Sequence, residues 1–183
     1  MGRQLFQDGP YVDTMVSTPT ALVATTEQAA WDPQTFTPIF ANDPKAGKIY
    51  CVRAGGIITT AASGTLILNP RIGLTISGAT LGVSQTVTMP VSMTNVAWYF
   101  QFDIVFRVIG LGATSSAVGT GFFATAPFAS APAVGISCVI PLGGGTAATT
   151  LDITTAIQAF CLGKTLSVAG SWSTQYAYIF SRN

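Results

Sequence analysis

Between Asn95 and Gly112 the chain reads N-V-A-W-Y-F-Q-F-D-I-V-F-R-V-I-G-L-G. The even positions Val96, Trp98, Phe100, Phe102, Ile104, Phe106 and Val108 are all apolar, while the odd ones include Gln101, Asp103 and Arg107. A repeat of two gathers apolar side chains on one face only in an extended strand. Wound as a helix, the same residues would set Asp103 beside Phe100 and Phe106. At roughly 3.3 Å per residue such a strand crosses a whole small domain. It is expected to be the central core strand of an all-β protein, with its even face in the core. The odd face, with Tyr99, Gln101, Asp103 and Arg107, then turns outward or to a subunit contact.

The chain around this run alternates strands and turns. Lys48 to Ala54 reads as a strand that continues through Ile57 to Thr60 after a bulge at Gly55-Gly56. Thr65 to Ile72 follows, and Pro70 argues for an edge position there. Gln85 to Met89, Ala117 to Phe123, Ile136 to Ile140 and Thr149 to Thr155 also read as strands, and Ala156 to Leu162 as a helical turn. Thr165 to Trp172 alternates as one strand, Ser173-Thr174 turns, and Gln175 to Phe180 closes the chain. Eight or nine short strands with almost no helix predict an antiparallel two-sheet sandwich of jelly-roll type, with a barrel as the alternative. No fixed-period repeat is present, which removes propellers and solenoids.

Residues 1–46 differ in composition. Five of the ten prolines and seven of the fifteen charged residues fall there. Spaced prolines forbid a long helix or central strand, yet Phe6, Tyr11, Trp31, Phe36 and Phe40 are too apolar for a solvated tail. The expected organisation is therefore an extended Pro-rich N-terminal arm, 1–46, followed by a β-sandwich, 47–183. The five aromatics of the arm are the candidate partner-binding residues, docking either on their own domain or on a neighbour. Leu22 to Thr26 is the one short strand expected within it.

Composition narrows the chemistry. Charged residues make up 8% of the chain and the net charge is +1, against ~25% charged in a typical soluble domain. A surface with so little charge repels neighbours weakly. With no histidine in the sequence, Ser-His and Cys-His catalysis are excluded. Beyond the arm the only carboxylates are Asp103 and Asp152; Asp103 reads as a strand-face charge partner, and a glycosidase dyad lacks support. Cys51, Cys138 and Cys161 have no metal-ligand spacing and read as core thiols. Gly110-Leu-Gly112 and Gly143-Gly-Gly lack the remaining residues of nucleotide loops and read as turns. The eight basic residues are dispersed, so no nucleic-acid footprint is expected. No stretch reaches the ~18 continuous apolar residues of a spanning helix, so no membrane partner is expected. No catalytic residue, metal, cofactor or small-molecule substrate is expected. Trp172, Tyr176 and Tyr178, if exposed, would suit a carbohydrate-binding module.

The strand patterns carry a resemblance. Gly47-Lys-Ile-Tyr-Cys-Val-Arg-Ala-Gly-Gly-Ile-Ile-Thr-Thr, Gly64-Thr-Leu-Ile-Leu-Asn-Pro-Arg-Ile-Gly, Asn95-Val-Ala-Trp, Val105-Phe-Arg-Val-Ile-Gly and Ala169-Gly-Ser-Trp-Ser-Thr resemble runs in small virion proteins of tailed bacteriophages. Over residues 47–175 the chain is similar to capsid decoration, or cement, proteins. The resemblance implies a homotrimer on the outer capsid surface, made in the host cytoplasm, that binds the major capsid protein and clamps capsomers together. It also implies an arm reaching to a neighbouring subunit. The alternative expectation is another virion part, such as a head fibre base, a tail protein or a jelly-roll capsid subunit.

Overall fold

The structure is a computed structural model that describes residues 20–22, 26–32, 39–73, 78–82, 84–89, 92–127, 135–141, 148–154 and 160–182. Among these, twelve strands form two antiparallel sheets. They are β1 (Thr20–Leu22), β2 (Gln28–Ala29), β3 (Ile49–Thr60), β4 (Gly64–Ile72), β5 (Ala79–Thr80) and β6 (Val87–Met89). The others are β7 (Met93–Val108), β8 (Ser115–Thr125), β9 (Ser137–Ile140), β10 (Ala148–Leu151), β11 (Phe160–Leu166) and β12 (Gly170–Arg182). The large sheet runs β1-β12-β3-β7-β8-β10 with β9 also on β8; the small sheet runs β2-β11-β4-β5 with β6 also on β4.

The pairing is that of a jelly roll. β5 and β6 lie one after the other along β4, joined by hydrogen bonds from Leu81 N to Pro70 O and from Ser84 N to Leu68 O, and act as one interrupted strand. Counted so, β1 pairs β12, β2 pairs β11, β3 pairs β7 and β4 pairs β5–β6. This is one long antiparallel ribbon, folded over so that β12 also lies beside β3 and β11 beside β4. β8, β9 and β10 are inserted between β7 and β11 and widen the large sheet.

The expected central strand is β7, between β3 and β8, and its even residues from Val96 to Phe106 are buried. Phe160 of the small sheet meets Phe100 and Phe102 across the sandwich, with ring centroids 6.1 and 5.8 Å away. Trp98 and Trp172 pack at 4.4 Å. Each such ring contributes on the order of 1.5–3 kcal/mol through burial. Gly119 on β8 makes room for Phe102, whose ring occupies the space that a Cβ would fill.

Several expectations need correction. Val108 is not in the core: the β7–β8 register shifts between Phe106 and Val108, which turns Val108 out to 51% exposure. Pro70 is not on an edge, since β4 lies between β11 and β5–β6. The N–H it lacks faces Leu81, at the interruption between β5 and β6, so no regular ladder bond is lost. Residues 160–162 are strand, not helical turn, and residues 165–172 belong to two strands in different sheets. Ser173 and Thr174 continue β12 rather than turning the chain. The short strand near Leu22 spans Thr20–Leu22.

The described parts of the segment 1–46 are built into their own sandwich. β1 extends the large sheet beyond β12, and β2 extends the small one beyond β11. Asn42 N donates to Ile153 O and Ile39 is buried. Asp43 accepts from Lys48 Nζ at 2.9 Å and from the Tyr50 hydroxyl at 2.6 Å. On the outside of the small sheet Glu27 pairs with Arg71 through two hydrogen bonds of 2.8 and 2.9 Å. Residue 46 therefore marks no structural boundary in the described chain.

Candidate interaction face

Among the described residues no three potential metal ligands come together. Asp152 is engaged in a turn, accepting from Thr154 N and Oγ1 at 3.0 and 2.9 Å. Asp103 makes no ion pair among the described residues, and its Oδ1 is buried without a hydrogen-bond partner. The three cysteines are buried and unpaired. Burial first, then the neighbouring Asp103 carboxylate, pushes the Cys51 thiol up to about 12, which leaves it inert at neutral pH.

What the fold does display is the outer face of the large sheet. Because strand residues alternate sides, the antiparallel register lines the outward side chains in rows across the sheet. One row runs Tyr178–Arg53–Gln101–Phe122–Val139 over five strands. To one side lies Tyr176–Gly55–Tyr99–Ala124, and to the other Phe180–Cys51–Asp103–Thr120. A fourth row is Arg182–Ile49–Val105–Val118.

The rows are knit by aromatic contacts. Tyr176, Tyr178 and Phe180 stack along β12 at 6.3 and 6.1 Å, and Tyr99 meets Phe122 at 5.6 Å. The guanidinium groups of Arg53 and Arg182 both lie over Phe180, at 5.4 and 5.5 Å from its centroid. Tyr176 lies across Gly55, where a Cβ would come within 2.5 Å of its hydroxyl. Phe122 is 40% and Val139 68% exposed. A second apolar projection sits at the β7–β8 turn, where Val108, Ile109 and Leu111 are exposed.

The candidate partner-binding aromatics of the sequence are not gathered here. Trp31 is buried in its own core, stacked on Phe160 and donating from Nε1 to Phe160 O at 3.3 Å. Phe40 is 51% exposed. Phe6, Tyr11 and Phe36 lie outside the described residues. Trp172 is in the core, so of the candidate sugar-binding rings only Tyr176 and Tyr178 reach the surface. Phe122 and Val139 were not singled out from sequence, yet the adjacent Phe122-Phe123 pair held the signal: in a strand, one of two consecutive residues must face out. No family model matches the chain, and neither a curated protein nor a solved structure does.

Proposed function

We propose that this chain is a non-enzymatic virion structural protein of the tailed-bacteriophage type: a capsid decoration protein that binds the major capsid protein on the outer shell as an oligomer. One observation carries the reading. A jelly roll with 8% charged residues presents a five-strand face of tyrosine, phenylalanine and arginine side chains. That composition is enriched at the buried centres of protein interfaces, and weak surface charge lowers the cost of close packing between copies. The strand patterns that resemble decoration proteins fall in β3, β4, β7 and the start of β12. In this role the protein adds contact area across capsomer boundaries, and several weak attachments on one oligomer multiply into strong retention.

The test is a pair of particle preparations, one with the protein and one without. Electron microscopy of the labelled chain should place it at regular positions over the whole shell, and the decorated particles should retain DNA at higher temperature. Equal heat stability with and without the protein, or label confined to a tail or a single vertex, would reject the decoration role.

A further inference from the structure

We infer that the outer face of the large sheet is the contact between copies of this chain, the β12–β3 half of one copy meeting the β7–β8–β9 half of the next. This deepens the assembly reading above by naming the surface and its occupant. It concerns the purified chain with no shell present, so the two proposals fail separately.

Three observations select a second copy as the occupant. The first is size. Five strands ~4.8 Å apart and four rows ~7 Å apart give a face of roughly 25 by 25 Å with side-chain margins. A single half-on-half contact covers roughly 300 Å² of it, short of the ~800 Å² per partner of a stable interface, and a closed ring that holds each copy on both halves doubles that. The second is the chemistry of the two halves, which complement each other. The β12–β3 half carries Arg53 and Arg182 with the stacked rings of Tyr176, Tyr178 and Phe180. The β7–β8–β9 half carries Asp103 and the exposed apolar side chains Phe122 and Val139. A neighbour turned half against half sets Phe122 on the tyrosines and Asp103 toward the arginines. A closed ring of such contacts satisfies every copy alike, as cyclic symmetry requires. The third is what the face lacks. None of its four rows holds a lysine or glutamate, the residues that keep exposed sheet faces solvated and monomeric.

The experiment measures the mass of the full-length protein in solution by light scattering and native mass spectrometry. The wild type is expected to be an oligomer at micromolar concentration. Phe122→Glu is expected to weaken association by at least about 30-fold, the effect of a central interface residue, while its β-sheet circular dichroism stays unchanged. Leu111→Glu, in the β7–β8 turn at 77% exposure, is the control and should leave the mass unaltered. Arg53→Asp and Asp103→Arg should each weaken association and should restore it when combined. Should Phe122→Glu fail to fold, Val139→Glu on the edge strand reads the same surface. A monomeric wild type overturns the inference, whichever other occupant covers the face. So does an oligomer whose mass is indifferent to folded Phe122→Glu and Val139→Glu.

Discussion

Lys164 lies inside the sandwich, opposite Leu68, with its Nζ donating to Ala29 O at 2.7 Å and sitting 5.7 Å from the centre of the Trp172 ring. A charge in that position is costly, and burial lowers the ammonium pKa to about 8, with a smaller opposing pull from Cys161. The unfolded chain holds this proton up to about 10.4. Between pH 8 and that value the unfolded state binds more protons than the native one, so stability rises with pH. Lys164→Met removes that rise. The difference in unfolding free energy, wild type minus variant, should grow by roughly 1–3 kcal/mol across this window. The buried thiols of Cys51 and Cys161, both pushed up to about 12, lower stability above pH ~9 in both proteins. Denaturant titrations at pH 7.5 and 10 give the difference, and parallel profiles would reject the assignment. Acid acts through other groups. Burial raises the Glu27 carboxyl, but the hydrogen bonds from Arg71 and Asn69 and the Arg71 charge outweigh it, and the pKa falls below its ordinary value. A carboxylate with a depressed folded pKa stabilises above its unfolded pKa and loses this as pH falls through the folded one. Glu27→Gln should therefore be less stable than wild type at pH 6, and the gap should close on acidification below pH ~4.

At the scale of elements, β7 was legible because its period-two pattern is long and uninterrupted, while its ends were not. Asn95 adopts φ +50°, a conformation asparagine tolerates, and exchanges hydrogen bonds with Thr59 Oγ1. The strand continues past this kink to Met93, and at the other end a register shift turns Val108 out. Alternation alone does not report such irregularities. β12 gives the sharper example. The pair Gly55-Gly56 announces a bulge, but β3 is continuous there and the extra residue, Gln175, lies on β12 between Thr174 and Tyr176. Gly56 supplies the space, because a Cβ on it would run into Ser173 O. The consequence is testable by deletion. Removing Gln175 leaves Thr174 inward opposite Gly56 and Tyr176 outward opposite Gly55, so both flanking registers survive. Removing Ala177 instead, with the bulge lost in the same way, keeps Tyr178 and Phe180 outward but sets Tyr176 inward opposite Ala54, in the fully buried place of Ala177. The Gln175 deletion should fold, at a cost of about 1 kcal/mol or less beyond the usual range for a surface change, and the Ala177 deletion should not. Thermal unfolding followed by circular dichroism separates them; loss of folding in both would show that the bulge itself is required.

For the whole molecule, the two-sheet antiparallel class could be read from turn spacing, but the order of strands could not, because alternation carries no information about which strand lies beside which. The clearest cost of this was residue 46. Prolines and charge set residues 1–46 apart in composition, and nothing local reveals that β1 and β2 are the outer partners of β12 and β11. In the ribbon of a jelly roll, the first strands and the last are paired by topology, so a boundary drawn near residue 46 cuts the ribbon lengthwise. A chain consisting of residues 47–183 would leave the Lys164 ammonium without the Ala29 carbonyl, Arg71 without Glu27, and Phe160 without Trp31 above it at 5.9 Å. The loss of a buried tryptophan alone costs ~3–5 kcal/mol, against a total of ~5–15 kcal/mol for a domain, and a buried charge stripped of its partner costs a similar amount again. We expect 47–183 not to fold cooperatively, whereas a chain beginning at Thr20 keeps β1, β2, Trp31 and Glu27 and should melt in one transition. Trp31→Ala, in the full chain, should lie between the two. Calorimetry on the three proteins decides the matter. If 47–183 melts cooperatively within a few degrees of the full chain, the first 46 residues are a detachable arm after all rather than part of the sandwich.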